Sequence, residues 1–436
     1  MQLRIWKELS AAERASVLRR PALSLDDAVR EAVAAIIARV RRDGDRALME
    51  LALELDRAKL TTVEVTAAEV DAAESALTAE QKAAIRAAAA NIERFHAAQV
   101  PAPLRVETAP GVACERLTRP IEAVGLYVPA GSAPLPSTAL MLGVPARLAG
   151  CASRVLCSPP RADGSLDPAV LYAARTAGIT RIFKIGGAQA IAAMAYGTAS
   201  VPKVDKVFGP GNVYVTEAKA QVDRDPEGAA RDYPAGPSEV LVVADGSARA
   251  QFLAADLLSQ AEHGADSQAL LVTTDLEQAK RVMAAVDLQR RTLARRTAID
   301  GALGHSSAIV VDDVAAAIDL ANEYAPEHLI LQVEDPRQWL ARVKAAGSVF
   351  LGPWAPETVG DYCSGTNHVL PTYGYARRYS SLGVGDFLRF MTVQTLSLEG
   401  LARIGPIAVT LARLEGLDAH AEAVLCRLAA AAGGSR

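Results

Sequence analysis

Along the first hundred positions, apolar residues return every three or four places. Val29, Val33, Ile36, Ile37 and Val40 form such a run, closed by Asp43-Gly44, which is the spacing of a helix that buries one face. Thr66-x-x-Glu69 and Thr78-x-x-Gln81 pair a hydroxyl with a carboxylate or amide three residues on, as a capping box requires, and predict two further helices. At Pro110-Gly111 a hairpin is expected, with arms at 105–108 and 112–117. Beyond it the period changes. Short apolar runs at 124–128, 154–157, 181–185 and 205–208 read as buried strands. Helical stretches separate them, such as 168–176, with Asp167 as its cap and Pro168 in its first turn. A second series of strands follows at 240–244, 269–273, 308–311, 329–333 and 348–351, with helices at 248–263 and 314–324. From about Ser381 onward the pattern predicts several short helices and no strands. A segment that builds so little core has to dock, on its own body or on a second subunit.

Strands alternating with helices imply parallel sheets covered on both faces. The expected class is therefore α/β: two Rossmann-like parallel-sheet domains with a helical N-terminal region and a helical C-terminal tail. The two series meet at the Pro- and Gly-rich segment 233–239. A chain of 436 residues is also too long for one core.

Composition narrows the partners. A formal charge of −4, with Lys and Arg scattered, argues against nucleic acid. Arg, Pro or Asp interrupts every long apolar run, so no membrane span is expected. Residues 1–8 lack the apolar core of a signal peptide. The five Cys show no Cys-x-x-Cys spacing and read as reduced thiols, so a cytoplasmic location is expected.

The chain holds only six His. Gln260 and His263 stand three apart on one predicted helix, so an amide oxygen and an imidazole nitrogen can converge. Asp361, in the loop expected after strand 348–351, and His420, in the tail, would complete a mixed nitrogen and oxygen set suited to zinc or a similar divalent ion. Spacing alone does not bring these four together, and each His also fits a satisfied structural role. Glu327-His328 is an acid–base candidate at the start of a strand. Neighbours on extended backbone point to opposite sides, so both reach one site only if the Ala325-Pro326 turn bends the chain. His263 and this pair fall on the amino-terminal edge of the second sheet, whereas ligands of open α/β sheets usually bind at the carboxyl edge. The G-x-G-x-x-G fingerprint is absent. Instead, glycine-bearing loops follow three strands of the first series: 127–134, Gly186-Gly187-Ala188-Gln189, and Phe208-Gly209-Pro210-Gly211-Asn212. Backbone N–H groups at such strand-to-helix turns suit the phosphates of a nucleotide.

Together with segments 235–239, 258–264, 326–329 and 360–374, these motifs mark a chain that resembles the histidinol dehydrogenase family over nearly its whole length. The resemblance implies a zinc- and NAD-dependent enzyme of histidine biosynthesis that oxidises L-histidinol to L-histidine through an aldehyde, reducing two NAD. It implies Gln260, His263, Asp361 and His420 as zinc ligands and Glu327 and His328 as catalytic residues. Tyr127, Gln189 and Asn212 would contact NAD. Ser238, His368 and Glu415 would line the substrate site, together with the four zinc ligands and His328. The implied organisation is an N-terminal segment at 1–22, a first α/β domain from 23–122 and 240–380, an NAD-binding domain at 123–239, and a tail at 381–436. The implied state is a homodimer in which the tail completes the partner's site. Cys363 stands where many relatives carry Ala. Cys114, Cys151 and Cys157 lie in no polar, base-bearing motif, so a thiol nucleophile for the aldehyde step is not expected. Two other readings stay open: a zinc hydrolase, which leaves the three glycine loops without a purpose, and a two-lobed binding module without catalysis.

Overall fold

The computed structural model describes residues 1–21, 27–130, 133–234 and 236–433. Gly131, Ser132 and Ala235 of the expected motifs, and the expected boundary at 22/23, fall outside these. The chain divides into two compact units, Met1–Gln99 with Glu122–Phe387, and Val100–Ile121 with Leu388–Arg436.

The first unit contains two parallel sheets. Five strands lie in the order Arg181–Lys184, Ser153–Ser158, Ala123–Tyr127, Lys206–Phe208 and Ala230–Arg231. The chain enters at the middle strand, builds outward on one side and then crosses to the other. The strand order therefore switches between Ala123–Tyr127 and Lys206–Phe208, and two of the three glycine loops leave from these strands. The second sheet has six strands in the order Gln2–Ile5, Ser307–Val310, Gln268–Thr273, Glu239–Ala244, His328–Gln332 and Ser348–Leu351. Its central strands, Glu239–Ala244 and Gln268–Thr273, are buried at every position, which is why they read as unbroken apolar runs.

The second unit carries a three-stranded antiparallel sheet, Leu388–Leu396, Val112–Pro120 and Leu104–Ala109. It continues into the helices Leu398–Leu414 and Asp418–Gly433.

Both predicted series of strands form, and helix Pro168–Thr176 has Asp167 accepting from the Ala169 N–H as its cap. Ser10, Thr66 and Thr78 all close capping boxes. Three expectations are corrected. The N-terminal region is not purely helical, because Gln2–Ile5 pairs with Ser307–Val310 as an edge strand. Four residues are too few to show a period. The tail is not strand-free, because Leu388–Leu396 forms a nine-residue strand. Its side chains are mostly exposed on both faces, so burial imposed no alternation on the sequence. Asp361 lies not in a loop but on the short helix Glu357–Tyr362.

Candidate active site

The six-stranded sheet presents its polar groups at its amino-terminal edge. Glu239 and His328 are the first residues of two adjacent central strands, and both are buried. Helix Ala250–Ala261 returns from the far edge and carries Gln260 in its last turn, with His263 just beyond. Helix Glu357–Tyr362 follows the outer strand Ser348–Leu351. Glu357 and Asp361 are four apart and share one face of it.

The expected bend at Ala325 is present. This residue has φ +54°, in the left-handed region, which a side chain other than glycine occupies at a cost of roughly 1 kcal/mol or more. The bend lets neighbours meet, and His328 Nδ1 lies 3.7 Å from Glu327 Oε2. The same nitrogen lies 3.2 Å from the Glu239 carbonyl oxygen. A carbonyl only accepts, so Nδ1 carries the proton. The far nitrogen, Nε2, stands 3.3 Å from Asp361 Oδ1, not aligned for a hydrogen bond, and has no other partner among the described residues. Glu327 Oε2 accepts from the Glu239 N–H at 2.9 Å.

His263, Glu357 and Asp361 bring one ligand atom each within 4.8 Å of one another. Glu357 is the residue the sequence reading missed. Its signal was the Glu357-x-x-x-Asp361 spacing, which counts only on a helix. Burial raises the Glu357 carboxyl to about 8, against the pull of His328. Burial likewise raises Glu327 to about 8, again opposed by His328. Burial disfavours the charged form of His328, but Glu327, Glu357 and Asp361 outweigh it and hold its pKa well above the ordinary imidazole value. Asp361 stays below the usual carboxylate range, because its contact with His328 outweighs its own burial.

The donor set fits a divalent cation. One end of the Gln260 amide lies 2.7 and 3.2 Å from the two Glu357 oxygens, and the other lies 2.9 Å from the Glu239 backbone nitrogen. Hydrogen bonding alone would turn the amide nitrogen toward Glu357. A cation shared with His263, Glu357 and Asp361 would instead call for the amide oxygen on that side. Several buried carboxylates gathered around imidazoles, with a nitrogen lacking a partner, suit a bound positive charge.

The remaining site candidates are placed as follows. His368 is held from both sides: its Nδ1 donates to the Asp361 carbonyl at 2.8 Å, and its Nε2 lies 3.0 Å from Thr138 Oγ1. Ser238 is half-buried just before Glu239, and its carbonyl accepts from the Gln268 N–H. His420 and Glu415 lie at exposed positions of the second unit.

On the five-stranded sheet, Tyr127 is buried, and its hydroxyl accepts from the Gly187 N–H at 3.0 Å. Gln189, in the first turn of helix Gly187–Tyr196, is buried with its amide oxygen unpartnered among the described residues. Asn212 caps helix Val213–Arg224 by accepting from Tyr214 and Val215 N–H. Gly209 has φ +119°, and a Cβ there would strike the Tyr127 carbonyl oxygen. The loop is fastened by the buried Lys219–Asp232 ion pair. Lys219 also donates to the Gly209 carbonyl at 2.9 Å, and Asp232 accepts from the Gly209 N–H at 2.8 Å. Glycine-shaped backbone and an unpartnered buried oxygen at a helix start fit a nucleotide.

Two parallel α/β layers, one with phosphate-type loops and the other with a buried acid–base pair beside a cation-type donor cluster, define an enzyme of the dinucleotide-dependent α/β class. The histidinol dehydrogenase family model matches residues 18–428. The histidinol dehydrogenase of Xylella fastidiosa (strain 9a5c) is 58% identical over 428 residues, covering 98% of this chain and 99% of the relative. That of Vibrio vulnificus (strain YJ016) is 54% identical over 428 residues, covering 98% of each. A crystal structure of histidinol dehydrogenase from Elizabethkingia anophelis superposes with a TM-score of 0.95 at 45% identity, covering 99% of this chain and 98% of the other. This chain belongs to the histidinol dehydrogenase family, and it is an NAD-dependent oxidoreductase.

Proposed function

We propose that this enzyme oxidises L-histidinol to L-histidine through the aldehyde, reducing two NAD, in histidine biosynthesis. The observation that carries this reading is the buried Glu327–His328 pair set against the Asp361 side of the donor cluster, in a chain that matches the family throughout.

Gln260, His263 and Asp361 would hold a zinc ion, with Glu357 beside them and His420 added from the tail of a second copy. Bound there, the ion would supply a positive charge to hold the imidazole and amine of the substrate. NAD would bind at the loops around Tyr127, Gln189 and Asn212 and supply the hydride acceptor. His328 Nε2 would take the hydroxyl proton when the ring is in its neutral form, and the carboxylates that raise its pKa make that form a strong base. Glu327 is the base for the water that adds to the aldehyde before the second hydride leaves. Ser238, His368 and Glu415 would border the substrate, although His368 must give up its Thr138 contact to do so.

No thiol takes part in this scheme. Cys157 is fully buried, and desolvation pushes its thiol well above the ordinary value, so a nucleophilic thiolate there is disfavoured. Cys157→Ser and Cys114→Ser proteins are expected to retain aldehyde oxidation. Among the described residues no helix is long and apolar enough to cross a membrane, and a cytoplasmic location remains the proposal.

The decisive measurement is NADH formation from L-histidinol and NAD by purified protein, before and after chelation and zinc addition. The expected outcome is two NADH per histidinol, lost with chelator and regained with zinc. A folded, zinc-loaded protein that makes no NADH would discard the assigned substrate. Tight histidinol binding without turnover would favour the binding module.

A further inference from the structure

Arg20 and Glu239 are 219 residues apart in sequence, yet they form a two-pronged ion pair. Nη2 of Arg20 donates to Glu239 Oε1 at 2.8 Å and Nε donates to Oε2. Both side chains are shielded, with 12% and 2% exposure. The guanidinium also lies 3.8 Å from the centre of the Tyr324 ring. Nη2 donates further to the Tyr324 carbonyl at 2.8 Å and to the Ala325 carbonyl at 3.3 Å.

Those carbonyls belong to the bend that brings Glu327 and His328 together. Glu239 in turn grips both members of the pair. Its Oε1 accepts from the Glu327 N–H at 3.2 Å, its own N–H donates to Glu327 Oε2, and its carbonyl accepts from His328 Nδ1. The Tyr324 hydroxyl donates toward Glu239 Oε2 at 3.2 Å and toward Gln268 Oε1 at 2.7 Å. The Glu239 carboxylate therefore spends its acceptor capacity on Arg20, Tyr324 and the Glu327 backbone.

Burying such a pair contributes little net stability, because desolvation offsets the attraction. Its geometry does more. A planar fork lying on a ring and holding two carboxylate oxygens and two carbonyls is something Arg can do and Lys cannot.

We propose that Arg20 is a positioning residue for the reaction, acting through Glu239 and the Ala325 bend to hold Glu327 and His328 in one working arrangement. This rests on the acid–base roles proposed above. The segment that carries Arg20 is thus part of the working site.

The test measures histidinol and histidinal oxidation separately in Arg20→Met, Glu239→Gln, Glu327→Gln and the Arg20→Met/Glu327→Gln double variant. Melting temperature and bound zinc are followed alongside. Arg20→Met and Glu239→Gln are expected to lower kcat roughly ten- to hundredfold, with KM and zinc content near wild type. The double variant should be little slower than Glu327→Gln in the step that Glu327→Gln slows, because on that step the brace acts through Glu327. Losses that multiply in the double variant, or a defect confined to KM or zinc content, would overturn the proposal. If Arg20→Met fails to fold, Glu239→Gln decides, since it keeps size and shape; wild-type rates there would also overturn it. Coupling is read on whichever step Glu327→Gln slows. A Glu327→Gln enzyme without a selective aldehyde defect therefore refutes the division of roles, and leaves the brace to be judged by its coupling.

Discussion

Glu327 and His328 are sequence neighbours that one bent residue turns toward a common point. Glu327 accepts from the Glu239 N–H and faces the protonated nitrogen of His328, whereas the free His328 nitrogen faces Asp361. Glu327→Gln keeps the shape but removes the base, so aldehyde oxidation should fall much more than alcohol oxidation. Equal losses in the two half-reactions, measured from histidinol and from histidinal, would sink the division of roles. Glu357→Gln removes a carboxylate from the donor cluster, and zinc affinity by chelator competition should fall about ten- to hundredfold. An unchanged affinity would place Glu357 outside the cation's reach. Half-buried Asp56, which acts electrostatically on Tyr127, has a carboxyl pushed up to about 6 by burial, and its Oδ2 has no partner among the described residues. Because the folded value exceeds the unfolded one, its ionisation costs stability as pH rises from about 4 through about 6. Asp56→Asn should therefore stabilise the protein at pH 8 by on the order of 1 kcal/mol, allowing for partial exposure. The gain should vanish near pH 4, and a gain that persists in acid would show another cause. Candidate side chains were readable from spacing where they sit on a long helix or beside strands, as with Gln260, Glu327 and His328, whereas His263, expected on the same helix as Gln260, lies just past its end. Glu357 and Arg20 were not, since one needs a six-residue helix and the other a partner 219 residues away.

At the scale of elements, the two parallel sheets use opposite edges. The five-stranded sheet offers glycine loops at its carboxyl edge, as open α/β sheets generally do. The six-stranded sheet gathers its polar groups at the amino edge, where helix Ala250–Ala261 ends and strand His328–Gln332 begins. Buried parallel strands announced themselves as apolar runs because both of their faces are covered. The edge strand Gln2–Ile5 and the exposed strand Leu388–Leu396 did not, because pairing rather than burial defines them. The Gly209–Asn212 loop shows how an element is held for binding. Lys219 and Asp232 are both buried and each bonds the Gly209 backbone, so removing one charge strands the other. Lys219→Met should destabilise the fold by about 3–5 kcal/mol, whereas Lys219→Met/Asp232→Leu should recover part of that loss. Both variants should bind NAD more weakly than wild type by titration calorimetry, because the loop has lost its fastening. NAD affinity that survives in the folded double variant would mean that the loop does not serve the cofactor.

At the scale of the whole molecule, the first unit supplies Gln260, His263, Glu357 and Asp361, and the second carries His420 and Glu415 at exposed positions. The second unit also leaves Ile407, Leu411 and Leu414 at 60%, 54% and 78% exposure on helix Leu398–Leu414. Their spacing of four and three puts them on one face, the kind of surface that a chain covers with another chain. If the tail completes the site of a second copy, each working site combines the body of one subunit with the tail of the other. His328→Ala damages a body and His420→Ala damages a tail, so each variant alone should be inactive. Subunits mixed by reversible dissociation form heterodimers as about half of all dimers when pairing is random. In each heterodimer one site combines both lesions and the other is intact, so activity should return to about a quarter of the wild-type value per subunit. If each tail instead served its own body, every site would carry a lesion, and verified heterodimers would remain inactive. Recovery therefore depends on which subunit the tail serves, independently of how strongly either substitution impairs its own site.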